Sequence, residues 1–234
     1  MVSLSELKGK SRQQLLGNYR ACALAFILMQ LSIDIIVSIS TTNLTRPSIA
    51  TYVFQCAFTF LFLLLYSVFL VGQNSFYLKM ACGFPFKVRD IFYGFRFYPN
   101  KSIQMQFVQI TLMLLGFLPF LASATFFFFG AGSVLYILLP FTFCLGILSY
   151  FYISLRYAFV FYLVLDFPHL TAKEILSLSA KIMKGNKARL LGLRLSFIPF
   201  SLLSIPTLGI GNLWITPYKQ MTYTQFYLDC VSNA

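Results

Sequence analysis

Charge is what this sequence lacks, and acid most of all. Asp and Glu together number 6 among 234 residues, there is a single histidine, His169, and charged residues make up 10% of the chain. A soluble domain carries about a quarter. So few acids and one imidazole leave little for catalysis. No cluster of His, Cys and carboxylates has metal-ligand spacing. No glycine-rich phosphate loop of the P-loop or dinucleotide type is present, and no G-x-S-x-G elbow is present either. His169 follows Pro168 in a turn, where a solvated imidazole is expected. The five cysteines, Cys22, Cys56, Cys82, Cys144 and Cys230, are scattered without a C-x-x-C pair. Most lie in apolar runs, where a thiol behaves as a small hydrophobe. Neither an enzyme, nor a cofactor, nor a metal site is expected.

What the chain has in quantity is apolar residues, 59% of the total, with a mean hydropathy of +0.78. Several apolar runs exceed the roughly 18 residues that mark a transmembrane helix. The net charge of +12 does not point to nucleic acid, because a patch for phosphates needs a soluble face to carry it. Here the bases sit between apolar runs, where anionic lipid headgroups are the expected partners. About twenty residues precede the first apolar run, which has no small-residue cleavage site at its end, so it is expected to stay as an uncleaved anchor.

The expected fold is all-α: one integral membrane domain over 1–234, a polytopic bundle of about six spans with short interfacial amphipathic helices on the cytoplasmic side. Residues 4–19 open with Ser3-Leu-Ser-Glu6, a capping box, and read as an interfacial helix or a solvated tail. The spans fall at about 20–40, 52–77, 103–129, 133–165, 188–206 and 210–231. Arg46-Pro47 marks a polar loop and Gly130-Ala-Gly132 a tight turn. Pro119, Pro140 and Pro199 lie inside spans and predict kinks. The fourth span is longer than one crossing needs, so it either projects past the inner face or bends at Pro140 and tilts. The last, with Lys219, Gln220, Gln225 and Asp229, reads as a protein-shielded helix or an amphipathic tail.

Bases outnumber acids four to one before and at the start of the first span, five to one between Lys79 and Lys101, and six to two from Arg156 to Arg189. The loop after the first span has only Arg46, and the Gly130 turn has none. This asymmetry places the amino terminus and the even-numbered loops in the cytoplasm.

The chain is organised around residues 149–189. A long apolar segment carrying Arg156 breaks at Asp166-Phe-Pro168-His and restarts at Thr171-Ala-Lys-Glu174, a second capping box, as an amphipathic helix over 171–185 that ends at Gly185-Asn186. Ile175, Leu178 and Ile182 form its apolar face, opposite Lys173, Lys181 and Lys184. It should lie on the membrane or against the bundle. Lys173, Lys181, Lys184, Lys187 and Arg189 are the candidate headgroup contacts. Arg156 either snorkels to the inner headgroups or pairs inward with Asp166 or Asp34. Asp34, in the first span, is either an intramembrane site or a residue near the outer interface, within reach of water or Arg46. With Arg194, these residues form the candidate intramembrane polar set.

Leu165-Asp-Phe-Pro168, Thr171-x-x-Glu174, Leu178-Ser179 and Met183-Lys-Gly185-Asn186, with Leu15-x-Gly17-Asn18-Tyr19 near the start and Leu208-Gly-Ile-Gly-x-Leu-Trp214 near the end, resemble the bacterial integral membrane family called domain of unknown function 975. They are similar, more loosely, to membrane domains attached to glycerophosphodiester phosphodiesterases. The resemblance implies a multi-spanning helical protein of the bacterial cytoplasmic membrane, and carries over no catalytic residue. Phe167 stands where that family usually has a polar residue. Two functions fit the sequence. One is a non-enzymatic scaffold or accessory subunit that binds partner membrane proteins, itself, or anionic lipids. The other is a small transporter or transporter subunit with a polar path through the membrane.

Overall fold

The computed structural model describes residues 2–42, 48–128, 135–207 and 209–233, and among them every regular element is helical. In chain order these are α1 (Leu4–Leu15), α2 (Tyr19–Thr42), α3 (Ile49–Ala81), a 3-10 turn (Val88–Phe92), α4 (Tyr93–Phe97), α5 (Pro99–Phe128), α6 (Leu135–Arg156), α7 (Val160–Asp166), α8 (Ala172–Ile182), α9 (Lys187–Leu195), α10 (Ile198–Leu202) and α11 (Asn212–Ser232). The Arg46-Pro47 loop and the Gly130–Gly132 turn lie outside the described residues.

Both capping boxes form. Ser3 Oγ accepts from the Glu6 amide while Glu6 returns a carboxylate to the Ser3 amide, at 3.3 and 3.1 Å. Thr171 and Glu174 repeat the exchange at 3.4 and 2.7 Å. Hydrogen bonds from the Thr171 amide and hydroxyl hold the Glu174 carboxyl below its ordinary pKa. The first helix stops at Leu15, earlier than expected. Gly17 has φ +84°, a conformation that suits glycine, and the chain turns by 96° into α2.

Among the described residues three helical stretches, Ile49–Ala81, Pro99–Phe127 and Leu138–Asp166, are long and apolar enough to cross a membrane. There are four if the bent pair Leu4–Leu15 and Tyr19–Asp34 is taken as one. About six are expected from the sequence, and the other two stretches fall short of that length or hydropathy for local reasons. The stretch expected as the fifth span is two short helices. Pro199 cannot donate to an i−4 carbonyl, so the chain turns at Ser196–Phe197 and restarts as α10. The expected sixth, α11, has 21 residues, but its Lys219, Gln220, Gln225 and Asp229 keep it below the hydropathy of a lipid-facing span.

The long helices divide into arms and a base. In the three most apolar windows no more than 11% of residues are buried within the chain, so the arms turn their side chains outward. The packed core lies elsewhere, among α1, the start of α2, the end of α3, α7, α8, α9 and α11, and includes Leu15, Phe76, Tyr77, Leu163, Ile175, Leu193, Phe226 and Tyr227. Helix α3 belongs to both parts. Its 33 residues extend about 50 Å at 1.5 Å per residue, well beyond a hydrocarbon core of about 30 Å, and burial begins at Ser67. The surplus of the fourth expected span goes the same way. Helix α6 continues through Pro140, the break falls at Tyr157–Phe159, and Val160–Val164 of α7 are buried in the base.

Helices α5 and α6 pair along most of their length through small residues, as membrane helices do. Gly116 lies on Ser149 and Gly146 on Phe117, and Ser123 Oγ and Thr142 Oγ1 share a hydrogen bond of 2.8 Å.

Hydrogen bonds gather the basic stretches at one end of the molecule. Gln14 Nε2 donates to the Ala81 carbonyl at 2.9 Å, and an Arg189 NH group donates to the Val2 carbonyl at 2.6 Å. Lys101 Nζ, at the start of α5, donates to the carbonyls of Pro168 and Leu170, the latter at 2.6 Å. The lysine thereby closes the turn between α7 and α8. Hydrogen bonds from a charged donor contribute about 1.5–3 kcal/mol, and Lys101→Met is expected to open this turn without unfolding the base. Faster amide exchange confined to residues 166–171 is the readout, and unchanged exchange there would count against the clamp.

Candidate functional site: a basic cleft at the polar end

The amphipathic helix α8 is seated before its cations are placed. Ile175, Ser179, Ile182 and the following Met183 are buried, and Ser179 Oγ donates to the Arg156 carbonyl at 3.2 Å. This fixes α8 beside the last turn of α6. Lys181 and Lys184, three apart and so neighbours on one face, then stand next to Arg156. The three cations line a cleft of about 350 Å³ whose walls include Tyr157, Leu176 and Ser177. Arg156 Nη1 also reaches the Tyr152 hydroxyl at 3.5 Å, and Lys187 Nζ lies 4.1 Å from the centre of the same ring. Tyr152 therefore joins Lys187 to the group. Lys173 is exposed in the first turn of α8.

Among the described residues, none of Arg156, Lys173, Lys181, Lys184 and Lys187 forms an ion pair; the two pairs present are Lys79–Asp90 and Arg189–Asp229, at 3.1 and 3.0 Å. A planar guanidinium with two mobile ammonium groups matches a phosphate or carboxylate, the Arg in bidentate fashion and the Lys as point charges. Among the described residues no group of three or more His, Cys, Asp or Glu could hold a metal ion.

The remaining expected site residues go elsewhere. Arg189 is occupied inside the fold, bonded to Asp229, to the Val2 carbonyl and to Asn186. Arg194 Nη1 donates to Ser154 Oγ at 2.9 Å. Asp166 accepts from the Tyr227 hydroxyl at 2.5 Å. Asp34 is exposed and accepts from Gln30 Nε2 at 2.9 Å. Asp34, Arg156, Asp166 and Arg194 thus have four separate sets of neighbours, and Arg156 pairs with neither aspartate. A second basic pocket, about 520 Å³ and lined by Lys79, Arg89 and Arg96 with Asp90 and Tyr93, was not singled out by sequence. Its signal was present in the five bases between Lys79 and Lys101, interleaved with aromatics. In the sequence the polar groups of α11 register only as an obstacle to spanning, and Gln73, isolated within an apolar run, gives no signal of its own.

Apolar helices of membrane-crossing length, set on a base whose bases gather at one end, describe a helical protein compatible with a membrane. The chain belongs to the family described as Protein of unknown function (DUF975), whose model matches residues 1–234. The looser likeness to membrane domains of glycerophosphodiester phosphodiesterases gains no support from that match. No curated protein and no solved structure matches the chain.

Proposed function

We propose that this is a non-enzymatic protein of the bacterial cytoplasmic membrane that acts as a scaffold or accessory subunit, holding anionic lipid headgroups at its basic end and presenting its apolar arms to lipid or to partner membrane proteins. The observation that carries the reading is the cleft of Arg156, Lys181 and Lys184, cations held together without a carboxylate among the described residues. The bases favour the cytoplasmic side for this end, with α2, α3, α5 and α6 crossing. Helices α9, α10 and α11 read as a hairpin that enters from the same end and returns to it. Exposed Leu202, Leu203, Ile205, Ile210 and Trp214 at its tip suit a lipid environment, and Arg189 and Asp229 meet at its root. The transporter reading has less support, since Asp34, Arg156, Asp166 and Arg194 do not share a path.

The test is native mass spectrometry of the protein released gently from vesicles containing phosphatidylglycerol and phosphatidylethanolamine. Retained phosphatidylglycerol in preference to phosphatidylethanolamine is expected, and the triple variant Arg156→Gln, Lys181→Gln, Lys184→Gln should lose that preference by about tenfold or more, each cation near an anionic surface being worth about 1 kcal/mol. Equal retention of both lipids by the unaltered protein would sink the proposal.

A further inference from the structure

A third cleft, of about 360 Å³, opens between α2, α3 and the first half of α11. Its polar lining comes from three distant parts of the sequence: Gln30 of α2, Gln73 of α3, and Asn212, Thr216, Lys219 and Gln220 of α11. The four on α11 recur at helical spacing and so share one face. Polar side chains in apolar helices are costly at membrane depth and collect where they face a cavity. These six do so.

Two of them are poised for something the chain does not supply. Gln73 is 7% exposed, yet its amide makes no hydrogen bond among the described residues, so a side chain that can donate twice and accept twice meets only the cleft. Lys219 Nζ donates to Ser201 Oγ at 2.8 Å, which ties α11 to α10 and leaves further donor capacity on the ammonium. Lys219 forms no ion pair among the described residues, and no Asp or Glu lines the cleft. The nearest acid on α2, Asp34, lies one turn along from Gln30 and takes its amide N–H. Phe26 and Ile33 supply an apolar wall. A volume near the lower end of the roughly 300–1,000 Å³ typical of small-molecule sites, apolar walls and a few convergent polar groups are the features of a ligand pocket.

We infer that this cleft binds a small organic monoanion, a carboxylate that also carries amide or hydroxyl groups. The carboxylate meets Lys219, and the amides of Gln73, Gln220 and Asn212 bond the rest of the molecule. The site is separate from the headgroup cleft of α8 and stands whether or not that cleft binds lipid.

The test uses Thr216→Cys in the full-length protein in vesicles. Modification of residue 216 is followed by peptide mass spectrometry, which resolves it from the five native cysteines. The probes are an anionic and a cationic methanethiosulfonate of similar size. The anionic reagent is expected to react faster by about tenfold, as one nearby uncompensated charge allows. Lys219→Gln should abolish the preference and Lys219→Arg keep it, and N-acetylglycine should slow modification. No modification, or equal rates with Lys219 in place, would overturn the inference. So would protection by added phosphatidylglycerol and not by N-acetylglycine, which would make the occupant a lipid.

Discussion

Gly72→Ala is expected to prevent the base from assembling, at a cost of at least about 3 kcal/mol. A Cβ on Gly72 would lie 1.7 Å from the Ile91 carbonyl oxygen, and one on Gly94 would lie 2.2 Å from the Val68 carbonyl oxygen, both severe overlaps. The obstructing atoms are backbone, not the ends of flexible side chains, so no rotamer change can relieve the overlap. The 3-10 turn and α4 would have to lift away from α3. Ile91, 1% exposed between them, would come out of the core with them. The control is Gly9→Ala, in α1, where nothing lies within 4 Å of an added Cβ. That change should be neutral or stabilising by up to about 1 kcal/mol, the helix preference of alanine over glycine. Thermal unfolding in detergent, read by loss of the monodisperse peak, compares the two. A Gly72→Ala protein as stable as Gly9→Ala would mean that this close approach of backbones is not part of the fold.

The helical class, both capping boxes and the buried face of α8 were legible in the sequence because each rests on local signals: apolar length, a Ser or Thr three residues before Glu, and a 3.6-residue period. The number of crossings is not settled in the same way, since three or four stretches among the described residues are long and apolar enough, against about six expected. Hydropathy counts apolar residues without knowing whether they face lipid or protein, so α7, buried in the base, read as the tail of a span. For the site, the cluster of Arg156, Lys181 and Lys184 could be approached, since all sit between 156 and 184 around one expected turn. Arg189 could not be told from its neighbours, because its partner Asp229 lies 40 residues further on. Nor could Gln30 and Gln73 be matched to Lys219. Three helices bring them to one cleft, and periodicity within a single helix does not report which neighbour it faces.

The Arg189–Asp229 pair locks the two ends of the chain together, and its removal should be the other severe lesion. Asp229 Oδ2 accepts from Arg189 at 3.0 Å and Oδ1 accepts from the Val2 amide at 3.1 Å, while Arg189 also donates to the Val2 carbonyl. One ion pair therefore holds the segment before α1, the start of α9 and the end of α11. The two partners are unequally placed: the side chain of Asp229 is 4% exposed and that of Arg189 is 24% exposed. Breaking a buried pair by removing one partner costs about 3–5 kcal/mol, mostly because a charge is left unpaired. Arg189→Ala strands the less exposed charge and also loses the contact of the guanidinium with the Phe226 ring, 5.4 Å away. It should fall near the lower end of that range, about 3 kcal/mol, because Asp229 keeps the Val2 amide and Asn233 Nδ2 as donors. Asp229→Ala leaves an arginine that can swing toward water, and should cost less, about 2–3 kcal/mol. The pair Arg189→Met with Asp229→Leu removes both charges and restores apolar contact, so it should recover much of the loss. Limited proteolysis ahead of α1, together with thermal unfolding in detergent, measures all three. If Arg189→Ala is no more damaging than Asp229→Ala, or the double variant is worse than either single one, the pair is not what closes the ends of the chain.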